Sequence, residues 1–118
     1  MAQPVVDEPM RGYYERRAPE YDDWWLGTGL YAQRPRPRWT EEVAELIGVV
    51  AALPPAAVLD VACGTGFLSS HLAGEVVGLD QSPAMLQIAA ARIRHGRVVC
   101  AEAVPLPFRD GEFDRVFT

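Results

Sequence analysis

Short apolar, largely β-branched runs recur along this chain with helix-forming segments between them, and that alternation restricts the fold more than any other feature. Ala57–Val61, Val76–Leu79 with Asp80 at its end, Val98–Ala101 and Phe113–Thr118 all read as strands. The inner runs are continuously apolar rather than alternating, as strands buried on both faces of a parallel sheet are. A helix of about two turns is expected from Gly66 through Leu72, closed by Gly74. A second follows Asp80, with Ser82 as N-cap, Pro83 at the first helical position and Met85, Leu86, Ala89, Ala90 and Ile93 inward. Pro105–Phe108 then reads as a loop and Arg109–Glu112 as a turn. Strands and helices in this order make a parallel sheet joined by right-handed crossovers, half of a doubly wound α/β fold.

Upstream, residues 1–9 are polar and contain proline, and are expected to be disordered. Residues 10–39 are expected to form an N-terminal helical cap and an Arg-Pro linker, before a main domain over 40–118. Tyr14, Ala18, Tyr21 and Trp25 recur at helical spacing, with Pro19 dividing the stretch into two pieces. Arg34-Pro-Arg-Pro-Arg38 reads as an extended, solvated connector, because each proline disfavours helix in the residue before it. Thr40 is placed to N-cap the next helix, whose stripe is Val43, Leu46, Ile47 and Val50.

Composition removes several classes of function. The formal charge is −5 with a pI near 4.9, a poor match to a phosphate backbone, so no nucleic-acid partner is expected. All 11 basic residues are arginine. Cys63 and Cys100, the latter assigned to a buried strand, have no metal-ligand spacing and read as free thiols. No apolar run approaches the roughly 18 residues of a membrane span, and the N-terminus lacks the order of a signal peptide. A cytoplasmic protein without a membrane partner is the expectation.

The chemistry gathers at the ends of the strands, where ligands bind in doubly wound sheets. Gly64 and Gly66 follow the first strand and by themselves make only a tight turn. A dinucleotide fingerprint would carry a third glycine where Ser69 stands, and Asp60 brings a negative charge that would repel a pyrophosphate and suit a cation. Asp80 ends the second strand, where an acceptor-only carboxylate can bind both hydroxyls of a ribose. Glu102 follows the third strand. Together these acids outline a ligand with a ribose, a positive charge and no phosphate, as S-adenosylmethionine (SAM) is.

Three segments, Val58-Leu-Asp-Val-Ala-Cys-Gly-Thr-Gly66, Val77-Gly-Leu-Asp-Gln-Ser-Pro-Ala-Met-Leu86 and Ala101-Glu-Ala-Val-Pro-Leu-Pro-Phe-Arg-Asp-Gly-Glu-Phe-Asp114, resemble the successive signatures of class I SAM-dependent methyltransferases, in the subgroup of quinone and small-molecule enzymes. The resemblance implies a Rossmann-like α/β sheet of about four strands in the order 3-2-1-4, the first half of a larger sheet. It implies SAM as cofactor, with Asp60 near the methionine ammonium, Ala62, Cys63, Gly64 and Gly66 on the turn, and Asp80 on the ribose. Gln81 and Met85 would line the adenine side, with Glu102 and Ala103 reading the adenine edge and Tyr21, with Tyr13, lying over the cofactor. No catalytic residue and no metal ligand is implied.

Methyl transfer to a small-molecule acceptor is the activity that follows. An NAD(P)-binding oxidoreductase domain and a non-catalytic fragment needing a partner are the alternatives. Because the family sheet has further strands, the chain is expected to be a truncated piece, its fourth strand offering an apolar edge for a partner chain or self-association.

Overall fold

The computed structural model describes residues 8–118. Four parallel strands, β1 (Ala56–Val61), β2 (Gly74–Asp80), β3 (Gly96–Cys100) and β4 (Arg115–Phe117), lie in the order β3-β2-β1-β4, as expected of a Rossmann-like half-sheet. Val58 pairs with Val76 and Leu59 with Val77, so β1 and β2 form the buried centre. Val58, Leu59, Val76 and Leu79 are at most 2% exposed. Each such side chain contributes about 1.5–3 kcal/mol through burial.

Side chains alternate across the sheet, which creates two cores. Leu59, Val77 and Leu79 face one side, covered by Phe108 and Phe113 whose rings meet edge to face at 5.0 Å. Val76 faces the other, packed against Ala89 of the helix that crosses from β2 to β3 and Ile93 just after it. Asp60 and Asp80 share the parity of Val76, so both acids belong to this helical side.

Four α-helices surround the sheet: α1 (Glu8–Arg17), α2 (Asp23–Leu26), α3 (Trp39–Ala52) and α4 (Pro83–Arg92). Helix α4 starts as its sequence dictates, with the Ser82 hydroxyl accepting from the Met85 amide at 3.2 Å and Pro83 in the first turn. Met85, Leu86, Ala89 and Ile93 are buried, whereas Ala90 faces out. A short 3₁₀ turn at Ala18–Glu20, containing Pro19, separates α1 from α2.

Several expectations change. Glu8 and Pro9 are the first residues of α1, not part of a polar tail; the remainder of that expected tail lies outside the described residues. Helix α3 starts at Trp39, ahead of Thr40, because the Trp39 indole donates to the Trp25 carbonyl at 2.9 Å and packs on Trp24. The Arg-Pro connector is not simply solvated. Arg36 sits 4.3 Å from the Trp39 ring centroid and donates to the Trp24 carbonyl at 2.9 Å.

The expected two-turn helix after Gly66 is only a 3₁₀ turn at Ser69–His71. Two tertiary contacts displace the helix: Phe67 stacks on Trp25 at 4.9 Å, and the Ser69 hydroxyl bonds to Asp60. Cys100 is exposed, because β3 is an edge strand. On β4, the opposite edge, Val116 is 61% exposed.

Gly74 starts β2 in the left-handed region (φ +93°), where an added Cβ would collide with the backbone of Ala56 on β1. Gly74→Ala should therefore destabilise the fold by about 2 kcal/mol or more. Urea denaturation checks this; an unchanged midpoint would contradict the close approach of β1 and β2.

Candidate functional site

A cavity of about 370 Å³ opens where β1, β2 and β3 end, below the cap. Its floor comes from the turn after β1, through Ala62 and Gly64, and from Leu79 and Asp80 at the end of β2. Gln81 and Met85 continue from β2 into α4, and Ala101–Val104 follow β3. Tyr14 and Tyr21 reach in from the cap.

Of the residues expected at the site, Tyr21, Ala62, Gly64, Asp80, Gln81, Met85, Glu102 and Ala103 line this cavity. Asp60, Cys63 and Gly66 do not, each for a local reason. Asp60 pairs with Gly78 rather than with Asp80, so it stops one same-face step short of the end of β2, roughly 7 Å along the strand. It is 5% exposed and accepts a hydrogen bond from Ser69.

Cys63 turns its sulfur onto β2, where a Cβ on Gly78 would lie 2.9 Å from it. Burial pushes its thiol up to about 12, far from a reactive thiolate. Gly66 brings the turn against α4, since its own Cβ would lie 3.3 Å from Ala89. In the cap, Tyr14 lines the cavity whereas Tyr13 lines a separate hollow beside it.

The turn itself is tightly specified. Ala62, Gly64 and Gly66 all have positive φ, and the Gly64 amide donates to Asp80 Oδ2 at 2.9 Å. The other oxygen, Asp80 Oδ1, accepts from the Ser82 amide at 3.0 Å. Tyr21 packs on Gly64, within 3.3 Å of where a Cβ would stand. Burial, with Tyr14 and Asp80 nearby, raises the Tyr21 phenol further, so it remains a neutral donor. Glu102 has no hydrogen bond or ion pair among the described residues.

Sequence reasoning missed Tyr14 and the polar ties that hold the cap in place. Glu15 accepts from the Ser82 hydroxyl at 2.5 Å and the Ala84 amide at 2.9 Å, which lowers its pKa. Asp22 accepts from the Thr65 hydroxyl at 2.6 Å and pairs with Arg92 at 2.6 Å. Among the described residues there is no cluster of three or more metal-ligating side chains, and no helix long and apolar enough to cross a membrane.

The family described as a methyltransferase domain matches residues 58–118, from the first buried position of β1 through β4. This chain belongs to that methyltransferase family. It is 40% identical over 86 residues to the demethylmenaquinone methyltransferase of Thermotoga maritima, covering 67% of this chain and 35% of that protein. It is 32% identical over 126 aligned positions to the 2-phytyl-1,4-naphtoquinone methyltransferase of Synechococcus elongatus, covering 93% of this chain and 50% of the relative.

A solved SAM-dependent methyltransferase from Thermotoga maritima superposes with a TM-score of 0.63 at 26% identity, covering 91% of this chain and 45% of that one. The class I resemblance carried by the three sequence segments is thus borne out. The chain spans about a third to a half of the length of the curated relatives it matches.

Within this methyltransferase domain Asp60 has an unusual electrostatic position. Burial raises its pKa from the ordinary 3.8 to about 6; the Ser69 hydroxyl opposes this rise and Asp80 adds to it. The native state therefore holds this proton to higher pH than the unfolded chain. The associated stability is complete below pH 3.8 and is lost as the pH rises through 6. Asp60→Asn, which can still accept from Ser69, should stabilise the protein by roughly 1–3 kcal/mol at pH 8, with the gain vanishing near pH 4. Urea denaturation of both proteins across this range checks it; a pH-independent difference would contradict it.

Proposed function

We propose that this chain is the cofactor-binding half of a methyltransferase that takes SAM and serves a small-molecule acceptor. One observation carries the reading: Asp80 and Glu102 line the cavity, and no Lys or Arg does. Each Asp80 oxygen takes one backbone N–H, which leaves acceptor capacity for two ribose hydroxyls. Glu102, unpartnered among the described residues, suits the adenine amino group, with the Ala103 backbone for the ring edge and Gln81 and Met85 beside it. Asp60 acts on a bound cation through space, being withdrawn from the cavity.

A pyrophosphate is a poor match. Only a three-residue 3₁₀ turn follows Gly66, so the glycine turn does not lead into a helix N-terminus of the kind that holds a dinucleotide pyrophosphate. This weakens the NAD(P) alternative.

When bound, SAM would supply a methyl group on a sulfonium, which is already a good leaving group. The work left to these residues is alignment and exclusion of water. Asp80 and the Gly64 turn fix one end of the ligand, and the Tyr14 and Tyr21 rings narrow the opening above it. Positioning alone can supply effective molarities of order 10^5 M. No residue here is assigned as a base. We read the acceptor as belonging to the quinone class for which the relatives are named, and the compartment as the cytoplasm.

Isothermal titration with SAM, S-adenosylhomocysteine and NADH tests the proposal. SAM and S-adenosylhomocysteine should bind; binding of NADH alone would overturn it. Asp80→Ala should weaken SAM binding at least tenfold, and an unchanged Kd would remove the ribose assignment.

A further inference from the structure

The two cap residues that wall the cavity are each followed directly by a carboxylate, in the dipeptides Tyr14-Glu15 and Tyr21-Asp22. Both acids are half-buried and reach down onto α4. Glu15 reaches the start of α4, taking the Ser82 hydroxyl at 2.5 Å and the Ala84 amide at 2.9 Å. Asp22 reaches the other end, pairing at 2.6 Å with Arg92 in the last turn of α4.

The same Asp22 carboxylate takes the hydroxyl of Thr65, between the two turn glycines and 1% exposed, at 2.6 Å. Arg92 closes the triangle by donating to the Thr65 carbonyl at 3.3 Å and its hydroxyl at 3.2 Å. The cap is thus pinned at both ends of a single helix, and each pin is adjacent in sequence to a tyrosine of the cavity wall.

We infer that Glu15 and Asp22 are positioning residues, a pair of clasps that hold Tyr14 and Tyr21 over the cavity and so set how long a ligand stays in it. The chemistry suits the role. A carboxylate bonded to a hydroxyl and an amide, or to a hydroxyl and a guanidinium, is held by charge-assisted bonds of defined direction. The clasps are only partly buried, so both can open without exposing the central strands. Tyr21 packs beside Gly64 at the cavity, and Asp22, next in sequence, ties its backbone to Thr65 and Arg92. The residence-time role rests on the cofactor reading above; the mechanical coupling does not.

Stopped-flow measurement of S-adenosylhomocysteine binding to the full chain, followed by tryptophan fluorescence, tests the role. Asp22→Asn and Glu15→Gln should each speed release at least fivefold, with association unchanged or faster, and Asp22→Glu should restore part of the loss. Release within twofold of the parent, or an effect confined to association, would overturn the proposal. Hydrogen exchange of the ligand-free proteins separates this from failure of the cofactor reading.

Exchange over residues 10–26 should accelerate in the double variant while β1 and β2 keep their protection. If the parent binds no S-adenosylhomocysteine, the cofactor reading fails, and unaltered exchange over 10–26 would then overturn the clasps as well. Loss of protection throughout the sheet would also overturn them, by making the two acids part of the folding core.

Discussion

The bond from the Gly64 amide to the Asp80 carboxylate organises the rest of this structure. It joins the turn leaving β1 to the last residue of β2, and the same carboxylate receives the amide of Ser82, where α4 begins. Hydrogen bonds to a charged group contribute about 1.5–3 kcal/mol each when well made. Three elements therefore converge on one side chain. The parallel register makes this convergence available, because it carries β2 one residue past the partner of Val61.

Once Asp80 is fixed, the electrostatics of the site follow. Asp60 lies on the same face one step behind, where burial, and to a lesser degree the nearby Asp80 charge, disfavours its ionisation. Ser69 partly offsets the burial of Asp60, and it does so by giving up the helix that the sequence after Gly66 would otherwise form. The result is a concave end of the sheet with acidic character and no basic side chain in its lining. Such a place favours a cationic, hydroxyl-bearing ligand over a phosphate. The cap completes it, stacked through Trp25 on Phe67 and tied by Glu15 and Asp22 to α4 and the glycine turn.

Much of this is legible in the sequence, for reasons that are local. Continuous apolar runs announce β1 and β2, Ser82-Pro83 announces the start of α4, and the order of elements dictates a parallel sheet. Asp80, Gly64 and Glu102 could be placed at the cavity because strand ends are where chain direction and ligand meet. What was not legible depends on contacts across long separations. Asp60, Cys63 and Gly66 lie off the cavity lining for reasons of this kind: Asp60 stops one same-face step short of the end of β2, the Cys63 sulfur lies against β2, and Gly66 packs on α4.

Helical spacing groups Tyr14 with Tyr21 but cannot say that Tyr14 rather than Tyr13 meets the sheet, since that depends on the docking angle of α1. The Asp22–Thr65–Arg92 triangle joins three segments far apart in sequence, and Arg36 finds its aromatic partners only once the cap has folded. An arginine in a proline-rich run carries no local sign that it will stack on Trp39.

Residue-resolved NMR of the chain titrated with S-adenosylhomocysteine tests the central claim most directly, namely that the Asp80 carboxylate and the turn bound to it form the ligand site. The amides of Gly64, Ser82 and Ala103 should shift together and saturate at one concentration, with the amides of β4 unmoved. Saturable shifts elsewhere, leaving Gly64 and Ser82 in place, would contradict the account.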